Sequence, residues 1–264
     1  MSNLEASALL WPILFGGGLL AGTVNAVAGG GTLVTFPIFL ASGLPPISAN
    51  ASNAVAVWPG HALAVVEYRK VIQETGFGLL WAVIAAIAGG MSGAFLLGKV
   101  GNGTFLQLIP FLLLTATTLF AFGPSINRWL SSPARGHRGG ARRPGAILGV
   151  FAFSVYGGFF GAGLGVMLMA GLLLLGVRDP QHNNALKNLL ATVVTSISAL
   201  VLAASGLVSW PHTLCAFAGA IIGGMVGGRF ARALPAQWLR KSVIMVGYSL
   251  AAYYFHKYCV HLSL

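Results

Sequence analysis

Residues 21–37 read AGTVNAVAGGGTLVTFP, followed by GLPP at 43–46 and ANASN at 49–53. Residues 155–171 read VYGGFFGAGLGVMLMAG, followed by GVRDP at 176–180 and NNALKN at 183–188. A second pair of echoes lies further along, GGMSG at 89–93 and GGMVG at 223–227. Asn53 and Asn188 are 135 positions apart and Gly89 and Gly223 are 134, so the likeness holds across a whole half of the chain. Whatever this chain folds into must be buildable twice. In a hydrophobic chain such a duplication is the mark of a transporter-like architecture, whose sites lie where the repeats meet.

Only 7% of the 264 residues are charged and mean hydropathy is +0.84, whereas a soluble domain carries about 25% charge. Apolar runs at about 8–40, 54–66, 77–97, 105–122, 146–175, 189–208, 214–225 and 243–255 predict an all-α polytopic membrane protein, since about 20 apolar residues span a bilayer as a helix. The start, MSNLEASALLW, has no Lys or Arg before its apolar run and reads as a retained first segment, not a cleaved signal. The net charge of +11 sits in short turns without interleaved aromatics. That pattern suits orientation and anionic lipid headgroups, and argues against nucleic acid as a partner. Cys215 and Cys259 have no CxxC or Cys/His pairing and read as small buried hydrophobes.

Composition divides the chain into a first transmembrane repeat (1–122), a basic linker rich in Pro, Gly, Ser and Arg (123–145), and a second repeat (146–264). The linker reads as an orientation-setting loop, with lipid binding or regulation as the other reading. Each repeat opens with too much apolar chain for one crossing. Ala8–Gly43 is 36 residues, about 54 Å as a helix against a hydrocarbon core of about 30 Å. Gly29-Gly30-Gly31 falls inside it, and the second half has Gly161, Gly163 and Gly165. Clustered glycines break helices, so each opening segment is expected to be a hairpin. Lys and Arg counts agree. With single crossings they divide eight against seven; with hairpins, thirteen share one face and only Lys99 and Lys257 lie opposite. The positive-inside rule then puts the linker in the cytoplasm and both termini outside the cell membrane. Three further helices follow each hairpin, and this odd number of crossings makes the two homologous repeats inverted.

The chemistry available is sparse. Broken helices at membrane depth present backbone N–H groups that suit an anion, which makes Gly29, Gly30, Gly31, Gly161 and Gly163 candidate binding positions; the glycines of GGMSG and GGMVG read instead as packing positions. Asn53, Lys187 and Asn188 are polar residues inside apolar helices. Lys187 either faces an anion or snorkels to the cytoplasmic surface. Asn25 and Tyr156, near the glycine turns, add donors. His61 is a candidate for proton coupling, or else a packed, hydrogen-bonded residue. The acids Glu5, Glu67, Glu74 and Asp179 all lie near predicted helix ends, so a deep carboxylate relay has no material. No nucleophile elbow, phosphate loop or metal-ligand spacing occurs, and the expectation is no catalysis, no cofactor and no metal.

AGTVNAVAGGGTLVTFP, GLPP, ANASN and EYRK in the first half, with YGGFFGAGLG, NNALKN and GLVSW in the second, resemble the TauE/SafE family of sulfite and sulfonate exporters. The resemblance runs from about Leu10 to Arg232. It implies a membrane transporter of small sulfur-containing or organic anions. The chain departs from the pattern where family members often carry an Asp, having Asn25 and Gly157, and where a Thr-Asn-Lys triplet is common it has Ser52-Asn53-Ala54. The function expected is secondary transport of a small anion by alternating access, with an anion channel as the alternative and an enzyme or scaffold further off. The partners expected are that anion, membrane lipid, and a second copy of the chain if it oligomerises.

Overall fold

The computed structural model describes residues 3–27, 30–73, 79–131, 144–230 and 236–260. They form helices α1 (Asn3–Val27), α2 (Thr32–Ala41), α3 (Pro46–Glu67), α4 (Arg69–Gln73), α5 (Leu80–Lys99), α6 (Asn102–Ser131), α7 (Pro144–Phe159), α8 (Leu164–Leu174), α9 (Pro180–Ala204), α10 (Trp210–Phe230) and α11 (Ala236–Phe255), closed by a π-helical turn at His256–Val260. No strand occurs among the described residues. α5, α9 and residues Asn102–Ile126 of α6 are long and apolar enough to cross a bilayer by length and composition.

Both opening segments break at their glycines. Gly30, Gly161 and Gly163 have φ of 116°, 83° and 78°, a region that a Cβ makes costly. The chain then turns back on itself. Gly31 abuts the Ala21 carbonyl and the Ile38 side chain covers Gly17, so α2 runs antiparallel to α1. In the second half Gly157 meets Leu164 while Gly171 meets Val150 and Phe153, which sets α8 antiparallel to α7.

The halves are joined by exchange. α1 packs on α10 and α7 packs on α5, while α3 lies against α9 and α6 against α11. Small residues permit the closest of these contacts. Gly18 and Gly22 lie on the carbonyls of Ala216 and Ala220, Gly219 and Gly223 on those of Phe15 and Leu19, and Gly89 and Gly93 on those of Phe151 and Val155. Between helices in lipid, such backbone proximity supplies dispersion energy that the hydrophobic effect does not. Outward faces are apolar: Leu20, Phe95, Leu148, Leu200, Met225 and Met245 are all exposed. Exposed Trp81, Trp129, Trp210 and Trp238 sit near helix ends, the level at which indole rings meet lipid headgroups.

Helix α6 extends nine residues beyond 122, the boundary expected from composition, and carries Pro124 inside it. Proline has no N–H for the carbonyl one turn earlier. Arg240 of α11 supplies the donors instead, its Nη2 lying 2.8 Å from both the Phe120 and Ala121 oxygens. Residues 132–143, with the remaining linker arginines, lie outside the described residues.

At the start of α9, Asp179 caps the helix by accepting from the His182 N–H at 2.7 Å, with Pro180 in the first turn. That backbone bond, followed by the contact with the His182 ring, holds the Asp179 carboxyl below its ordinary range. The ionised cap therefore stabilises fully above the unfolded-state pKa and is lost as pH falls through the folded-state value. Asp179→Asn, which keeps an accepting oxygen, is expected to flatten the acid-side fall of Tm in detergent and to leave neutral pH unchanged. An unaltered acid limb would remove Asp179 from that account.

Candidate functional site

The first glycine turn is closed from within. Asn25 Oδ1 accepts from the amides of Gly30 at 3.0 Å and Gly31 at 2.7 Å, and Gly60 of α3 leaves room for its amide group. These two amides were expected from the sequence to face an anion; in the structure they face Asn25. Gly29 lies outside the described residues. Asn53, buried in α3, accepts from the Thr35 hydroxyl of α2, and its own Nδ2 has no partner among the described residues.

The second turn is built differently. Asn25 has no counterpart there, the corresponding residue being Gly157. Gly163 starts α8 in a left-handed conformation with no side-chain cap. Leu164 donates to Gly161 O, and Val166 and Met167 donate to Gly163 O. Among the described residues nothing accepts from the amides of Ala162, Gly163 and Gly165, although Ala162 and Gly163 are buried. Lys187 comes to this point from α9, its Cδ 3.6 Å from where a Cβ on Gly165 would stand. Its stem therefore lies against the inner end of α8. No carboxylate contacts the ammonium among the described residues. Asn188, next along α9, is buried and its side chain likewise has no protein partner there, its backbone oxygen taking the Thr192 hydroxyl.

Tertiary packing gathers the two turns. Gly30 meets the Phe120 ring and Gly163 meets the Ala116 backbone, positions one helical turn apart near the middle of α6. Asn50 Nδ2 of α3 donates to Phe159 O at 2.8 Å, where α7 ends. The Phe36 and Phe160 rings meet edge to face at 5.2 Å, tying α2 to the opposite turn. Tyr156 joins this cluster through Phe160, with its hydroxyl 3.5 Å from Leu112 O. His61 lies on α3, which packs against α9, the helix of Lys187. Trp58 Nε1 donates to Ser196 Oγ at 2.7 Å, locking α3 to α9.

The sequence points to residues 161–165, the stretch that holds these amides, but not to Thr35. Thr35 carries a readable signal, standing four residues after Gly31 on the first turn of α2. Which amides of that stretch stay free is not readable, because an N–H becomes available only when folding leaves it without an acceptor.

Paired broken hairpins, apolar outer faces and unsatisfied backbone donors beside a lysine describe the class: a helical bundle suited to lipid with a polar centre. The chain belongs to the sulfite exporter TauE/SafE family, whose pattern matches residues 14–254. It is 28% identical over 248 residues to a "Probable membrane transporter protein" of Haemophilus influenzae, covering 92% of this chain and 93% of the relative. It is 28% identical over 254 residues to "Probable membrane transporter protein YfcA" of Escherichia coli strain K12, covering 93% and 90%. To "Probable membrane transporter protein YunE" of Bacillus subtilis strain 168 it is 26% identical over 255 residues, covering 87% and 90%. No solved structure matches the chain.

Proposed function

We propose that the protein is a secondary transporter of a small anion, such as sulfite, a sulfonate or a related organic or sulfur-containing anion, working by alternating access between two inverted halves. The observation that carries this reading is the second glycine turn. Among the described residues its Ala162, Gly163 and Gly165 amides lack acceptors at the positive end of α8, with the Lys187 stem against Gly165. A charge inside a membrane is expensive unless it meets a partner or a watery cavity. An anionic group resting on these donors would satisfy the amides and the ammonium together. The relatives' names support transport, and their family supports the substrate class.

Inversion of the halves is supported by the packing. Exchanging α1 with α7, α3 with α9, α5 with α10 and α6 with α11 carries each of the major contacts between halves into another or into itself. One end of the bundle also gathers the starts of α3 and α6, joined by the Ile47 N–H to Asn102 Oδ1 at 3.1 Å, and the loop before α10, joined by Ser48 Oγ to Leu207 O at 2.7 Å. That grouping suits hairpins whose ends return to their own side, with the linker and most cations cytoplasmic. Two like halves that can rock about α3 and α9 would expose the site to each side in turn.

The test uses purified protein and a panel of sulfite, sulfate, thiosulfate, sulfonates and small carboxylates. At least one should raise Tm saturably, since a ligand at about 100 times its Kd adds about 2.7 kcal/mol to the folded state. In vesicles the same anion, loaded inside, should accelerate entry of its labelled form. Stabilisation without such exchange would point to a channel, and neither effect from any anion would overturn the proposal.

A further inference from the structure

The end of the bundle that gathers the starts of α3 and α6 holds a cleft of about 450 Å³, lined by the turn at 43–46, by Leu106 of α6, and by Tyr253, Tyr254, Lys257 and Tyr258 where α11 passes into its π-helical turn. Lys257 Nζ stands 5.3 Å from the centre of the Tyr258 ring and 5.7 Å from that of Tyr253. Tyr254 stacks on Tyr258, centroids 5.8 Å apart and planes 4° from parallel. The ring faces attract the ammonium and so place it without neutralising it, for no carboxylate pairs with it among the described residues. The hydroxyls of the three tyrosines likewise have no hydrogen-bond partner among those residues. An ammonium and three hydroxyls, all donors in need of an acceptor, thus line one cleft, and a charged oxygen is the acceptor that suits them best.

Anchoring at the lipid headgroups accounts for Tyr253, which is 55% exposed, since interfacial rings face lipid. It does not account for Tyr254, which is 7% exposed and belongs to the same buried core as Phe36 and Phe105, nor for Tyr258 stacked on it. Position decides what the cleft would serve. The loop that follows α9 lies at this end of the bundle, so α9 starts at the other end, and Lys187 lies only two turns inside that start. An anion arriving at the cleft's end meets Lys257 well before Lys187. This is also the side to which the hairpin count of cations leaves only Lys99 and Lys257, so Lys257 has little competition for a passing anion.

We propose that Lys257 and the hydroxyls of Tyr253, Tyr254 and Tyr258 form an outer entry site, where a small oxyanion such as sulfite or a sulfonate is held loosely on its way to or from Lys187. The proposal rests on the reading of the protein as an anion transporter. A fixed charge in a cleft with low-dielectric walls concentrates ligands of opposite sign at its mouth, so the site acts on capture from one side and not on binding at Lys187.

The experiment measures initial entry of labelled sulfite and labelled methanesulfonate, against their unlabelled forms inside, in intact cells and in inverted membrane vesicles, with the background of membranes lacking the protein subtracted. In cells, Lys257→Met should raise the half-saturating concentration about tenfold, the low end of what such focusing gives, and should flatten its dependence on ionic strength; in inverted vesicles it should change neither. Lys257 is exposed, and Lys257→Arg, which keeps the charge, should match wild type. Tyr254→Phe should give part of the rise with the salt dependence intact. Wild-type values for Lys257→Met in both preparations, or an equal rise in both, would overturn the entry site and leave transport standing. A rise confined to inverted vesicles would overturn its placement on the outer face. Wild-type entry in Lys257→Met together with loss of a Tm gain from added phosphatidylglycerol would assign the cleft to a lipid phosphate instead. Entry of neither anion through the wild-type protein would overturn transport of these anions, and the entry site with it.

Discussion

Replacement of Lys187 by Ala or Glu is expected to abolish anion exchange in vesicles while leaving the protein folded in detergent. The reason lies in what Lys187 does not touch. No described carboxylate pairs with it, so removing the ammonium leaves no protein charge stranded. Breaking a buried pair by deleting one partner costs 3–5 kcal/mol or so in other proteins, and that penalty is missing here. In anion-free buffer the Tm of Lys187→Ala should be unchanged or higher, because a half-buried cation on an apolar helix has been replaced by an apolar group. Ligand affinity should move the other way. Losing a desolvated charge partner costs a bound ion about 2 kcal/mol or more, about 30-fold in Kd. Lys187→Glu adds repulsion and should remove the anion-induced Tm shift altogether. The measurements are Tm with and without the stabilising anion, and counterflow by the same preparations. Wild-type anion response in Lys187→Ala would place the substrate elsewhere.

Gly16 and Gly18, two residues apart on α1, should respond oppositely to the same substitution. Around Gly16 nothing stands within 4 Å of an added Cβ, whereas at Gly18 that atom would fall on the Ala216 carbonyl. Gly16→Ala is expected to be neutral or to stabilise by up to about 1 kcal/mol, the difference in helix propensity. Gly18→Ala must push α1 away from α10, and overpacking typically costs about 1–3 kcal/mol. The contact is backbone to backbone, so no rotamer change relieves it, and the upper end of that range is expected. Gly223→Ala, on the facing helix against Leu19, should behave as Gly18→Ala does. Tm and the fraction of monodisperse protein after extraction read both effects. Equal Tm for Gly16→Ala and Gly18→Ala would show that the two helices separate freely.

Much of the architecture was legible in the chain because its signals are local. Gly29–Gly31 and Gly161–Gly165 break helices wherever they stand, and 36 apolar residues exceed one crossing regardless of neighbours. The antiparallel course of α1 with α2 and of α7 with α8 follows from those two facts. The end of α6 was not legible. Gly123, Pro124 and Ser125 look like the start of a linker, yet the helix continues to Ser131 because Arg240, more than a hundred residues away, takes up the carbonyl that Pro124 leaves free. Tertiary contact there overrides local propensity.

The candidate site divides in the same way. Residue types that suit an anion could be picked out one by one, but which donors remain available could not. Asn25 reads as an additional donor near the first turn; folding makes its oxygen the acceptor for Gly30 and Gly31 and so uses up the amides that made that turn attractive. The second turn, with Gly157 in the matching position, keeps its amides and meets Lys187. The sequence by itself determined that this is a doubled, apolar, glycine-broken helical chain, since periodicity, hydropathy and backbone freedom are properties of neighbouring residues. Only the tertiary structure decided which of the two like turns is left with unsatisfied donors, since a hydrogen bond is spent or spare according to what lies across from it in space.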